Sequence, residues 1–237
     1  MVHILITKMF RDPVGVLRRF FWKTVIGPLR YVKSGYYDAE RYWQDRYRKY
    51  GTSLRGAGDE GLSEEENVAS KKDDAQVLLQ LCRQESINLS QARVLDVGCG
   101  TGFFAGFLRD QGVKHYVGAD ITDVLFPQLR ATYPTFTFRK ADITTDTVPG
   151  EFDLVLMLYV IIHIMDEERL SQALAHVRQV LSEHGCVLIG PLQKVSERRF
   201  FYLRSWSLED IQQRFPGFHM GPPVPFREGF AVAVRKA

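Results

Sequence analysis

The sequence predicts an α/β fold built on a doubly wound parallel sheet, and three observations predict it. From Arg93 onward short apolar runs alternate with helical patterns, as in chains of strand–helix–strand units. One run, Phe152–Leu158, is almost unbroken apolar, the pattern of a parallel strand covered on both faces. The first run, Val94–Val97, leads at once into Gly98-Cys99-Gly100-Thr101-Gly102, a glycine turn that lets a strand enter a helix with its backbone close to a ligand.

The elements follow in order. Residues 1–35 form a basic aromatic arm in which Pro13, Gly15, Gly27 and Pro28 limit any helix to short pieces. Tyr36, Trp43 and Tyr47 then recur near helical spacing, and Gly51 to Gly61 reads as a loop. Ser63 and Glu66 form a capping-box pattern, and the helix they open runs to about Ser86 with Val77, Leu78, Leu81 and Cys82 inward. Val94–Val97 is the first strand, and a helix spans Gly102–Gln111. Strands are expected at His115–Ala119, Thr135–Arg139, Phe152–Leu158 and Cys186–Gly190, with a helix over Glu167–Glu183. Ser207 caps a last helix, Leu208–Phe215, before a final strand at Gly229–Val234. The arm is set apart from a domain over residues 36–237.

The 237 residues suffice for one domain plus an extension, and the overall charge of +3 does not announce a nucleic-acid binder. That charge is uneven. Lys8, Arg11, Arg18, Arg19, Lys23, Arg30 and Lys33 face only Asp12 within the arm, so the rest of the chain is net acidic. Cys82, Cys99 and Cys186 are sparse and form no C-x-x-C pair, which suits a reducing cytoplasm. No run is long enough to span a membrane. The arm, with Phe20-Phe21-Trp22 among its basic residues, reads as a docking helix or lid, or else as an interfacial helix making peripheral membrane contact.

The glycine turn also discriminates between ligands. A dinucleotide fingerprint needs a small third residue where Phe103 stands, whereas Asp96-x-Gly98-x-Gly100-x-Gly102 fits D-x-G-x-G-x-G. This pattern resembles the S-adenosylmethionine loop of class I methyltransferases, in particular bacterial small-molecule and glycan enzymes. The resemblance is specific over about residues 92–190 and implies S-adenosyl-L-methionine as cofactor. It further implies a seven-stranded sheet with helices on both faces and an antiparallel last strand. Asp120 ends the second strand near the offset at which an acid takes ribose hydroxyls, although a capping aspartate is the alternative. By the resemblance, Asp142 and the Ile143 amide meet adenine, Ile121 and Ile143 sandwich the ring, and Leu158 and Tyr159 face the methionine end. Asp96 helps hold the ammonium, directly or through water, and Cys99 is a small, unreactive loop residue, with a catalytic thiol as the alternative. Tyr42-Trp43-Gln44-Asp45-Arg46-Tyr47 resembles a "Y-W-x-x-R-Y" lead-in, which makes Arg46 a partner for the cofactor carboxylate or else a solvated helix residue.

On the acceptor side, Leu158 to Glu167 resembles a "V-L-x-H-x-x-D-E" stretch and offers His163 as a catalytic base for an alcohol, or as a structural histidine. His3, His115, His176, His184 and His219 lack that placement, and no residues show metal-ligand spacing with a suitable third group. Glu197 to Trp206 sets arginines among aromatics. It suits a phosphate, a carboxylate or a ring, or equally a helix face packed on the sheet. The expected activity is methyl transfer, with O-methylation favoured, to a small-molecule, glycan or lipid-linked acceptor. The N/D-P-P-Y/F motif of base amino-methylating enzymes is missing after the fourth strand, and no DNA partner is expected. A protein or RNA methyltransferase, or a binding module without catalysis, is the alternative. The sequence is silent on oligomeric state.

Overall fold

The computed structural model describes residues 13–236. Lys8, Arg11, Asp12 and His3 therefore lie outside the described residues. Helix α1 (Pro13–Phe21) runs through a π-helical turn, Trp22–Ile26, into α2 (Gly27–Tyr31). Gly27 and Pro28 thus do not break the arm. The wider π turn precedes Pro28, which stands in the first turn of α2, where its missing N–H costs no bond. Gly27 is required by close approach, since a Cβ there would lie 2.4 Å from the Phe201 ring.

Strands β1 (Val32–Lys33) and β2 (Tyr36–Tyr37) form a small hairpin ahead of α3 (Ala39–Tyr50), capped by Asp38 accepting from the Arg41 N–H. The expected loop from Gly51 to Gly61 contains one short helix, α4 (Leu54–Ala57), capped by Ser53. Helix α5 (Glu64–Gln84) opens on the expected Ser63–Glu66 capping box.

The sheet strands are β3 (Arg93–Val97), β4 (His115–Asp120), β5 (Thr137–Lys140), β6 (Phe152–Leu158) and β7 (Leu181–Leu192), with β10 (Phe218–Met220), β11 (Val224–Phe226) and β12 (Gly229–Lys236). Helices α6 (Phe103–Asp110), α7 (Phe126–Thr132), α8 (Glu167–Val180) and α9 (Leu208–Gln213) connect them. The order is β10-β12-β7-β6-β3-β4-β5, with β11 paired to β12 at the side. Seven strands lie on this path as expected, and β11 makes the sheet eight-stranded. Strands β3 to β7 are mutually parallel, and β12 runs antiparallel to β7. Strand β7 is longer than the expected Cys186–Gly190 because α8 ends at Val180 and the chain is already extended from Leu181.

Both faces are covered. Along β6, Leu154, Leu156 and Leu158 pack with Leu78, Leu81, Phe104 and Leu108 on one side. Val155 and Met157 pack with Leu170, Leu174, Val177 and Ile211 on the other. A third, aromatic cluster joins Tyr31, Tyr37 and Tyr42 to Phe201 and Tyr202. The last two lie between β8 (Glu197–Phe200) and β9 (Leu203–Ser205), an antiparallel hairpin where a helix face was one expectation. Tyr42 stacks on Tyr202 at 5.1 Å and Tyr31 on Phe201 at 6.2 Å, so the arm is fastened over the hairpin by rings.

Candidate functional site

The carboxyl ends of β3, β4, β5 and β6 converge on a slot of about 150 Å³. Open parallel sheets bind ligands at this edge. Gly98, Gly100 and Gly102 all have positive φ. At Gly98 the requirement is double: φ is +72°, and a Cβ would lie 2.2 Å from Val160 Cγ2. The loop is pinned to β4 by Gly98 and Cys99 N–H groups donating to the Ala119 carbonyl, at 2.7 and 3.0 Å. Cys99 is buried, and burial pushes its thiol well above its ordinary pKa, so it acts as a small filler rather than a nucleophile.

Asp120 lines the slot from the end of β4 and accepts from the Gly100 N–H at 3.0 Å and the Thr122 N–H at 3.1 Å. Burial raises its pKa to about 6, against the pull of those amides. Each carboxylate oxygen keeps acceptor capacity for a ligand hydroxyl. Asp142 also lines the slot and accepts from the Thr144 N–H and hydroxyl through Oδ1. Ile121 and Ile143 flank it, and the Ile143 N–H donates to no described residue, which leaves it available to a ligand acceptor. Leu158 and Tyr159 close the far end, where Tyr159 has φ +71° and its N–H donates to the Gly190 carbonyl.

Asp96 sits just behind the loop, 3% exposed, and accepts from the Tyr116 hydroxyl at 2.7 Å. Its burial raises its pKa to about 7. It does not line the slot itself and acts on it through its field.

Arg46 departs from expectation. Its Nε donates to the Gly56 carbonyl, its Nη2 to the Arg55 and Gly58 carbonyls, and its Nη1 to the Tyr42 hydroxyl while pairing with Glu60 at 2.9 Å. Its three nitrogens are all engaged, by the loop after α3 and by Tyr42 of α3 itself. The side chain lines a neighbouring cavity instead of the glycine slot. It is not brought to a cofactor carboxylate, because the loop carbonyls claim it first.

That neighbouring cavity measures about 1000 Å³. Trp43, Ala57, Lys71, Tyr159 and His163 line both it and the slot, and so form the wall between them. His163 Nδ1 lies 2.8 Å from the Tyr202 carbonyl, which can only accept, so Nδ1 carries the hydrogen and Nε2 is left as an acceptor. Burial, reinforced by the Arg46 charge, lowers its pKa to about 4, and the ring is neutral at pH 7. Trp43 meets it edge-on at 4.9 Å.

Lys71 was not legible as a site residue. Its ammonium lies 3.8 Å over the Tyr159 ring and 3.4 Å from Asp74. Burial lowers its pKa to about 8. Asp74 also accepts from the Tyr159 hydroxyl at 2.8 Å and pairs with Arg227 Nε at 2.7 Å. A signal existed: Lys71, Asp74, Leu78 and Leu81 share one helical stripe of α5, and charged residues on an apolar stripe demand partners.

Residues 94–185 match the sequence profile of a family described as a methyltransferase domain. The candidate methyltransferase 235L of Invertebrate iridescent virus 6 is 22% identical over 141 residues, 52% of each chain. The present chain thus spans about half the length of that relative. Among solved structures, the complex of DhpI with S-adenosylhomocysteine aligns with TM-score 0.61 at 18% identity, covering 84% of this chain and 95% of that one. Magnesium protoporphyrin IX methyltransferase (ChlM) from Synechocystis PCC 6803 with bound S-adenosylmethionine aligns with TM-score 0.58 at 16% identity, covering 94% and 96%. Residues 94–185 are thus similar to a methyltransferase domain. The chain's fold is the class I, Rossmann-like fold of S-adenosylmethionine-dependent methyltransferases.

Proposed function

We propose that the protein transfers a methyl group from S-adenosylmethionine to a small-molecule, glycan or lipid-linked acceptor, most readily at oxygen. One observation carries this reading: the slot built by the glycine loop, Asp120 and Asp142 shares a wall containing His163 with a cavity wide enough for an acceptor. The residues fit the cofactor. Asp120 retains capacity for a ribose diol, the Ile143 N–H is free for an adenine nitrogen, and Asp96 supplies negative potential near an ammonium. The bound cofactor supplies an electrophilic methyl carbon. The chain's own part is to align an acceptor oxygen across the wall. Neutral His163 accepts a hydrogen bond from that hydroxyl at Nε2 and takes its proton as the oxygen–carbon bond forms. With so low a pKa it is a weak base, and its larger contribution is orientation.

Peripheral membrane contact is the second part of the reading. Val14, Leu17, Phe20 and Phe21 lie exposed along α1, with Arg18 beside them, while Arg19, Trp22 and Lys23 turn to the cavity. No helix among the described residues is long and apolar enough to cross a membrane. Replacing Leu17 and Phe20 by serine abolishes co-sedimentation with anionic liposomes on this reading; equal partitioning of the variant removes the membrane contact.

The activity is tested by tritiated-methyl transfer into a cell extract, with products separated into small molecules, lipid, glycan, protein and nucleic acid. Label in the lipid, glycan or small-molecule fraction is expected. Label confined to protein or nucleic acid, or no binding of S-adenosylhomocysteine, overturns the proposal.

A further inference from the structure

We propose that the wide cavity takes an acceptor bearing a phosphate group, gripped at the cavity mouth by Lys23 and Arg199. The inference rests on the reading of the shared wall as the methyl-transfer point and adds the chemistry of the acceptor.

The cations around the cavity are not equivalent. Arg46 is spent on loop carbonyls and Glu60, Arg204 on the Met165 carbonyl and Glu167, and Arg227 on Asp74. Lys23 and Arg199 differ, because neither makes a hydrogen bond or ion pair with any described residue. The Lys23 ammonium lies 5.1 Å over the Phe200 ring, and Asp59 and Glu60 reach it only through space. Its partial burial outweighs their pull and lowers its pKa. An ammonium drawn out of water without a paired anion is destabilising, and a ligand anion relieves that cost.

The two residues come from elements held together only by tertiary packing. Lys23 lies in the π turn of the arm, and Arg199 lies in β8. Tyr31 stacking on Phe201 fixes one against the other. A point charge and a planar fork facing one cavity suit a multi-oxygen dianion better than a single carboxylate. Trp22, Tyr42 and Tyr202 line the cavity along with the wall residues, and such faces suit a sugar or other ring. An acceptor with phosphate at one end, a ring in the middle and a hydroxyl at His163 matches this layout. The phosphate arises either in a soluble ester or in a lipid headgroup.

The test uses the full chain saturated with S-adenosylhomocysteine at low salt, titrated with phenyl phosphate in one arm. In the other arm it is titrated with phosphatidylcholine vesicles containing phosphatidic acid. Binding is expected in at least one arm, and the arm whose binding the double variant below loses identifies the source. The Lys23→Ala, Arg199→Ala double variant should bind that probe at least tenfold more weakly while keeping its S-adenosylhomocysteine affinity within twofold. Removing Lys72 and Lys114, exposed cations outside both the cavity and α1, should leave probe binding unchanged. Binding in neither arm, equal binding by the double variant, or equal loss on removing Lys72 and Lys114 overturns the phosphate site. Failure of the unaltered protein to bind S-adenosylhomocysteine overturns the methyl-transfer reading and this one with it.

Discussion

The slot and the wide cavity meet at one wall but are built by opposite strategies. Between Gly98 and Tyr159 every slot residue predicted from sequence stands at or just past the end of a sheet strand, and the parallel ladder sets their spacing. The cavity is assembled from the arm, the loop after α3, the turn after β6, the β8–β9 hairpin and the Arg227 turn. A ligand site carried by a regular sheet is written locally. A site carried by docked appendages is written in contacts between residues far apart in the chain.

The largest effect that tests this contrast falls on the loop. Gly98→Ala forces a left-handed Cβ into Val160 and should weaken S-adenosylhomocysteine binding about a hundredfold by calorimetry, since the conformational cost of about 1–2 kcal/mol adds to the clash. Near-normal affinity would show that the backbone need not turn there. Asp120→Ala should cost tenfold to a hundredfold, as expected for lost hydrogen bonds to a charged group at about 1.5–3 kcal/mol; unchanged affinity would remove the ribose assignment.

The same carboxylate gives a pH dependence. Its pKa in the free protein is about 6, and a ligand hydroxyl favours the ionised form. Affinity should therefore decline gently through pH 7, where Asp96 titrates, and fall more steeply as the medium is acidified below about 6, where Asp120 titrates as well. Asp120→Asn should remove the steeper fall and keep the gentle one at the lower affinity.

On the cavity side the effects shrink. His163→Ala should slow methyl transfer roughly tenfold, the low end of acid–base contributions, because a ring with pKa about 4 orients more than it deprotonates. Its S-adenosylhomocysteine affinity should stay the same, and full activity would return His163 to a structural role. The smallest effect belongs to Arg46→Ala. It should leave cofactor affinity within about twofold while lowering the thermal midpoint, because the carbonyls of Arg55, Gly56 and Gly58 lose their donor. A tenfold loss of affinity would restore the carboxylate role.

What the sequence made legible follows the same division. Strand periodicity placed Asp96, the loop glycines, Asp120, Asp142 and Ile143 at or near strand ends, while the cofactor contacts expected of Asp96, Asp142 and Ile143 came from the resemblance alone. The capping box at Ser63 and the N-cap at Ser207 were readable because they are local, and Asp210 turns the second into a box as well. Arg46 was misread because its partners, the carbonyls of a loop without regular pattern, leave no trace in spacing. The hairpin at Glu197–Ser205 could not be told from a helix, since its alternation is short and one register irregularity interrupts it. The arm was read as broken because proline and glycine usually break helices. Here a π turn, which local propensity does not announce, carries the chain past both.

Asp74 is a keystone. One carboxylate braces an ammonium, a phenol and a guanidinium, drawn from α5, the turn after β6 and the turn between β11 and β12. The phenol and the guanidinium both belong to non-glycine residues with positive φ, Tyr159 and Arg227. Two awkward backbone kinks are thereby clamped by a single acid. Slackening the clamp at Arg227, on the rim of the acceptor cavity, should reach the partition where donor and acceptor meet.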